Sequence, residues 1–380
     1  MKIVIAPDSY KGSLTSKEVA EAIERGINRL KSNIFIDKIP MADGGEGTVQ
    51  SLVDATGGTI VYTKVFDPLL REIESFYGIL GDKKTAVIEM SSASGLPLLS
   101  QEERNPLITT TFGTGQLLLH ALDNGCRNFI IGIGGSATND GGMGMLKALG
   151  VKFLDKDNKD IGNGGEALGK LCFIDVSKLD SRIRDSNINV ACDVDNPLYG
   201  PKGASIVFGP QKGATEDMVR ILDNNLKHYA DIIEKHLSIS IGNAAGSGAA
   251  GGLGGGLMAF FNAKLKKGID IVIEATKLED QIKTADLIIT GEGTIDYQTK
   301  FGKTPYGVAK IAKKYNIPMI AIAGSLGEGA NDLYKEGFSS IFSISNKPMT
   351  LEDSIKNGVS LLEDTAERIL RAVLCLNHNI

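Results

Sequence analysis

Apolar and polar positions follow two rhythms along this chain. KIVIAP (residues 2–7) predicts a short buried strand, and Val19, Ala20, Ile23, Ile27 and Leu30 then recur at helical spacing. Thr15 and Glu18 form a capping box that sets the start of this helix. IFIDKIP predicts a second strand ending at Pro40, and GTVQSLVDAT a second helix. Between residues 58 and 90 the spacing drops to every second position, in TIVYTKVFDP, EIESFYGIL and KTAVIEM, the signature of antiparallel strands. NFIIGI and INVACDV add buried strands in the middle section. From Ala285 a strand–helix rhythm returns. ADLIITG, PMIAIAG and FSSIFSIS read as strands, TPYGVAKIAKKY and residues 351–374 as helices, and DLYKEG as a short helical piece.

The two ends share one style and the middle another. The pattern predicts an α/β protein of two domains: a discontinuous domain at residues 1–65 and 285–380, with a mixed α/β domain at 66–284 inserted into it. A chain of 380 residues exceeds the size at which single cores usually stop growing, which agrees with two domains.

Composition narrows the function. Glycine is in excess, 46 of 380 residues, and gathers in clusters between apolar runs, as functional turns do. A net charge of −5 argues against a nucleic-acid partner. Cys126, Cys172, Cys192 and Cys375 are far apart and suggest neither a zinc site nor a disulfide framework. The N-terminus MKIVIAPDSYKG is too short in apolar residues for a signal peptide, and no run approaches a membrane span, so the expectation is a cytoplasmic enzyme. His120, His228, His236 and His378 all fall outside the glycine–acid clusters, which leaves any catalysis to carboxylates and lysines.

Five segments run an apolar strand straight into acids and glycines: IVIAPDSYKGS, IPMADGGEGT, FIIGIGGSATNDGG, NVACDVDNP and LIITGEGTID. Ligands of parallel α/β sheets bind outside the carboxyl ends of the strands, so these acids are expected near one cleft. They are Asp8, Asp43, Glu46, Asp140, Asp193, Asp195, Glu292 and Asp296, with Lys11, Lys202, Lys212 and Lys303 nearby. So many acids need cations, and magnesium carrying substrate phosphates would balance them, the setting of phosphoryl transfer. Simpler readings stand beside this one. Asp8 and Asp43 could cap the following helices, Asp193 and Asp195 could form a turn before Pro197, and Lys303 could be a solvated helix-start residue.

GIGGSATNDGGMG (132–144) packs six glycines around Asn139 and Asp140 and suits a phosphate loop or tight packing. Its Gly132, Gly134 and Ala137 also match a relaxed dinucleotide fingerprint, with Asp155 or Asp157 as the following acid. GKT at 302–304 is not a Walker A loop, because residue 297 is Tyr297. GSGAAGGLGGG (246–256) precedes a helical run, LMAFFNAKL, and reads either as an anion-holding helix start or as glycine packing.

Taken in order, IAPDSYKGSLTSKE, PMADGGEGT, GIGGSATNDGGMG, ACDVDNPLYGPKGA, VFGPQKGAT, GAAGGLGGG and GEGTIDYQTKFGKTPYGVA resemble the bacterial glycerate kinase family. The resemblance runs from residue 3 beyond residue 309, with Tyr10 where Phe is common. It implies ATP- and magnesium-dependent phosphorylation of D-glycerate, usually to 2-phosphoglycerate and in some members to the 3-phosphate. It also implies a Rossmann-like three-layer domain carrying both termini, an inserted α/β domain, and an active site in the cleft between them.

The residue roles follow from chemistry. Ser9 and Lys11 are expected to contact the glycerate carboxylate or a phosphate, with Asp8 beside them and Asp43 accepting from a hydroxyl. Asp193 is the expected base, Asp296 the alternative base or magnesium ligand, and Asp195 a further magnesium ligand. Gly134, Gly135, Ser136, Asn139, Gly248, Gly251 and Gly293 are expected around the ATP phosphates. A nicotinamide-dependent hydroxy-acid oxidoreductase is the runner-up, and a ligand sensor a third class.

Overall fold

The computed structural model describes residues 1–30 and 33–377, so His378 lies outside the described residues. Among these residues the strands are β1 (Lys2–Ile5), β2 (Phe35–Lys38), β3 (Thr59–Phe66), β4 (Glu72–Ile79), β5 (Thr85–Glu89), β6 (Asn128–Gly132) and β7 (Lys152–Leu154). They continue as β8 (Phe173–Asp175), β9 (Asn187–Ala191), β10 (Lys264–Lys266), β11 (Leu287–Ile295), β12 (Met319–Leu326) and β13 (Ser340–Ser343). The chain is α/β, with two compact units. One holds Met1–Asp43, Gln50–Gly57 and everything from Ile269 onward; the other holds Gly44–Val49 and Gly58–Gly268.

These divisions differ from the expected ones at 65/66 and 284/285. Strand β3 pairs antiparallel with β4 along its whole length, from Thr59↔Ile79 to Phe66↔Glu72, and so belongs to the second unit. Residues 269–284, read as part of the insert, join the first unit. There Gly307 lets the helix Thr304–Tyr315 meet Ile269, for a Cβ on it would come within 2.3 Å of the Ile269 side chain.

The first unit is built on a parallel sheet of order β13-β12-β11-β1-β2. Its neighbours are in register as Ile3↔Leu287 and Ile5↔Ile289, and the inner strands β1, β11 and β12 carry continuous buried runs, as strands covered on both faces do. One face packs on the helix Ser16–Asn28, whose start is the anticipated Thr15–Glu18 capping box. Val19, Ile23 and Ile27 of that helix join Leu362, Ile369 and Leu370 of the C-terminal helix Gly358–Asn377 in one core with Ile3, Ile5, Ile289 and Ile322. Each such side chain contributes roughly 1.5–3 kcal/mol on burial. The two helices touch at Gly26, where any Cβ would strike the Glu363 carbonyl. The terminal helix is not continuous from 351: Leu351–Lys356 ends at Asn357 before Gly358–Asn377 begins. At the break Gly358 lies against the turn that follows β1, its missing Cβ 3.1 Å from Ser13 Oγ.

The second unit has a six-stranded sheet of order β10-β9-β6-β5-β4-β3. The period-two stretch forms the expected antiparallel β3–β4–β5 run, while β5, β6, β9 and β10 are parallel. Strands β7 and β8 form a separate antiparallel pair. Tyr77, Phe129, Phe153 and Tyr229 are fully buried in this unit's core. Among the described residues no helix is long and apolar enough to cross a membrane.

Candidate active site

The strand order of the first unit reverses between β1 and β11. From β1 the chain crosses to β2 on one side; from β11 it crosses to β12 and then β13 on the other. Such a reversal leaves a crevice at the carboxyl ends of the two adjacent strands. A cavity of about 480 Å³ lies there, lined at one end by Asp8, Ser9, Lys11, Asp43, Glu292 and Lys303.

The turn after β1 is closed by paired backbone bonds, Tyr10 N to Leu14 O at 2.8 Å and Leu14 N to Tyr10 O at 3.0 Å. Gly12 takes a left-handed conformation (φ +76°) that an L-residue adopts only with strain, and Lys11 sits exposed on the turn. The buried Tyr10 hydroxyl donates to Ile322 O at 2.8 Å, which ties this turn to β12, and burial pushes its phenol well above the usual range. Gly291 makes room for that ring, since a Cβ there would sit 3.0 Å from the Tyr10 hydroxyl.

Asp8 is held at both oxygens. Oδ1 accepts from Ser9 N at 2.7 Å and Oδ2 from Thr304 Oγ1 at 2.5 Å. Burial, and the negative charge of Asp43 after it, push the Asp8 carboxyl up from 3.8 to about 7, against the pull of its two hydrogen bonds. Burial also raises Glu292, opposed by a 2.7 Å hydrogen bond from Thr299 Oγ1 and a 3.0 Å ion pair with Lys303. The result is a half-buried acid cluster with lysines at hand, able to receive a hydroxylated anion.

Of the residues singled out in the sequence, the structure brings Asp8, Ser9, Lys11, Asp43, Glu292, Gly293 and Lys303 together on this cavity. Asp296, expected as the alternative base or a magnesium ligand, stands outside this set. It is not a lining residue, and its Oδ1 accepts from Gln298 N at 2.8 Å, capping the turn Tyr297–Lys300. Lys303 and Glu292 gain weight. Neither had a motif of its own beyond GKT and GEG, and their pairing is visible only in space.

The remaining expected residues belong to the second unit. Asp193 and Asp195 are exposed in the irregular stretch after β9, and Asp193 Oδ1 accepts from Gly268 N at 3.2 Å. Gly134 and Gly135 are exposed, and Gly135 has φ +71°, so this tip is open to close approach. Behind it the loop is closed. Asn139 is fully buried, its amide nitrogen donating to Ser205 Oγ at 3.0 Å while its Oδ1 has no hydrogen-bond partner. Asp140, equally buried, accepts from Thr111 N at 2.8 Å and from Gly142 N and Gly144 N at 3.1 Å. It therefore caps two helix starts, Phe112–Asp123 and Met143–Ala148.

Ser136 accepts from Lys212 Nζ at 2.8 Å, and the same ammonium donates to Thr138 O at 2.6 Å. Lys212 is 1% exposed, and burial lowers it to about 7. In the sequence it stands among the lysines expected near the acids, and nothing in its neighbours signals burial. Gly248 and Gly251 are also buried. Their Cβ atoms would strike Pro197 O at 2.1 Å and Thr138 O at 2.0 Å, so close packing accounts for the glycine-rich run. Of the two acids offered for the dinucleotide reading, Asp155 is engaged locally and Asp157 is exposed. Asp155 Oδ1 is turned onto the N–H groups of Asp157 and Lys159 in a surface turn.

Among the described residues no three His, Cys, Asp or Glu side chains form a ready-made metal site. Magnesium bound through nucleotide phosphates needs only one or two carboxylates, and this all-oxygen donor set fits such an ion.

The glycerate kinase family model matches residues 3–374. The glycerate kinase of Bacillus subtilis (strain 168) is 55% identical over 98% of both chains. The glycerate 2-kinase of Escherichia coli (strain K12) is 52% identical over 94% of both. A crystal structure provisionally described as glycerate kinase 2 from Salmonella typhimurium LT2 superposes with a TM-score of 0.92 at 50% identity, covering 100% of both chains.

Proposed function

The chain belongs to the glycerate kinase family, and on that premise we propose that it phosphorylates D-glycerate at the 2-hydroxyl, giving 2-phosphoglycerate and ADP. The observation that carries this reading is the acid–lysine cavity at the reversal between β1 and β11. Lys11 and Lys303 supply the positive charge that a glycerate carboxylate and a transferring phosphoryl group require. Asp43 accepts from the hydroxyl that is not phosphorylated.

We assign the reacting hydroxyl's proton to Asp8 in place of Asp193. The hydroxyl oxygen attacks the γ-phosphorus, the bond to the β-phosphate oxygen breaks, ADP leaves, and the proton passes to an Asp8 oxygen. Asp8 is fixed by Ser9 N and Thr304 Oγ1, and a carboxyl near 7 is matched to accepting a proton at neutral pH. Asp193 is exposed and faces Gly268 N. Because the transition state is loose, aligning the hydroxyl matters more than base strength. Asp296 is the proposed magnesium contact through the oxygen that its cap leaves over, and the ion would neutralise charge on the β- and γ-phosphates.

Phosphorus NMR of the product from ATP, magnesium and D-glycerate tests the reading. The 2-phosphate is expected, the 3-phosphate would move the attack to the other hydroxyl, and absence of ADP would remove the assignment.

A further inference from the structure

The cavity of the first unit is too large for a three-carbon acid. At about 480 Å³ it falls in the range of sites that bury a drug-sized ligand, and its acid–lysine end takes up only part of it. The rest runs along the carboxyl ends of β12 and β13 to the segment 344–355, and its chemistry changes on the way. Ile344, Met349, Leu351 and Ile355 form the far walls, with Ser345 and Ser354 among them.

Two of those walls are unusual. Leu351 is 77% exposed and Ile355 is 40% exposed, four residues apart on the short helix Leu351–Lys356. Side chains four apart share one helix face, so they offer a single apolar surface to the cavity. Ile344 is buried in the core below, and Met349 packs against the same core. The cavity is therefore amphipathic along its length. It has charge at the β1–β11 end and an apolar slot edged with hydroxyls at the β13 end.

Resting on the kinase reading, we propose that this slot holds the adenosine half of ATP, with the triphosphate directed toward Lys303 and Lys11. A flat base between Leu351, Ile355 and Met349 covers apolar surface that is otherwise left in water, and Ser345 and Ser354 provide hydroxyls for the ribose. The polar order of nucleoside then phosphate matches the order of the cavity walls. The assignment also frees the glycine run at 246–256 from holding nucleotide, since Gly248 and Gly251 are occupied by packing.

The test compares ADP with inorganic tripolyphosphate, which lacks the nucleoside. Both are titrated calorimetrically into wild type and into the double variant Leu351→Gln/Ile355→Gln, which alters only surface-exposed positions. The variant is expected to bind ADP at least tenfold more weakly and tripolyphosphate as wild type does. Ser354→Trp, which fills the slot, is expected to do the same. In turnover the KM for ATP rises at least tenfold while the KM for D-glycerate stays within threefold. Equal loss of ADP and tripolyphosphate, or unchanged ADP binding, overturns the slot. Calorimetry needs no turnover, so a wild type that binds ADP through these residues without phosphorylating glycerate overturns the kinase reading and leaves the slot standing.

Discussion

On the proposed mechanism the titration of Asp8 governs the rate, and its raised carboxyl bears on stability as well. As proton acceptor it must be ionised, so kcat/KM at subsaturating substrates should fall about tenfold per pH unit below about 7. Asp8→Asn should lower kcat/KM by about 100-fold or more and remove that limb of the profile. Asp193→Asn should leave the limb in place, and the reverse result would return the base to Asp193. The stability consequence has the opposite direction. Between the ordinary value of 3.8 and about 7 the folded chain keeps a proton that the unfolded chain has released. Stability of the ligand-free protein therefore falls as pH rises through that window, by up to about 1.4 kcal/mol per pH unit. Urea midpoints between pH 5 and 8 should show the decline in wild type and a shallower one in Asp8→Asn. On this proposal the site is held at a cost to the fold, and the two readouts must move together if one carboxyl is responsible.

Elements in the second unit are joined by buried polar side chains whose roles the sequence shows only in part. Asp140 serves N–H groups at the starts of two helices, which explains why an acid stands in a glycine loop without ligand chemistry. Asp140→Ala would orphan those donors in a dry interior and is expected to cost about 3–5 kcal/mol, read as a drop in urea midpoint. A folded variant of wild-type stability would return Asp140 to the ligand role. Capping chemistry was legible where it is local, as at Thr15 and Glu18. Asp140 reaches back to Thr111, twenty-nine residues away in the chain, and no spacing rule reports that. The same limit explains the terminal helix. Its apolar spacing runs on from 351 to 374, but Gly358 packs against Ser13 and Leu14, a contact set by the turn after β1. Strand β11 likewise continues through Gly291 to Ile295, because pairing with β12 from Ile288↔Met319 to Ile295↔Leu326 outweighs the glycines. The acid end of the site was legible because strand exits carry it. The slot at 344–355 was not, since SNKPMT reads as an ordinary polar loop.

At the scale of the molecule the two units are distinguished by what each completes within itself. The second unit has its own six-stranded sheet and a core running from Val65 to Phe261. It also recruits Gly44–Val49, and the reason is chemical: Glu89, at the end of β5, is 8% exposed and accepts from Val49 N at 2.8 Å. Burial pushes Glu89 up, while backbone N–H groups of residues 47–49 pull it back. A fragment that starts at residue 58 would leave that carboxyl buried without those donors, at a cost of about 1–3 kcal/mol. Two fragments therefore separate the core's contribution from the clamp's. Residues 44–268 should melt in one cooperative transition with native-like near-ultraviolet circular dichroism, because sheet, core and the Glu89 donors are all present. Residues 58–268 should melt several degrees lower, and Glu89→Gln should narrow the difference between them, since a neutral amide loses less when those N–H groups are gone. A broad, non-cooperative melt of the longer fragment would mean that this unit depends on the rest of the chain for its packing.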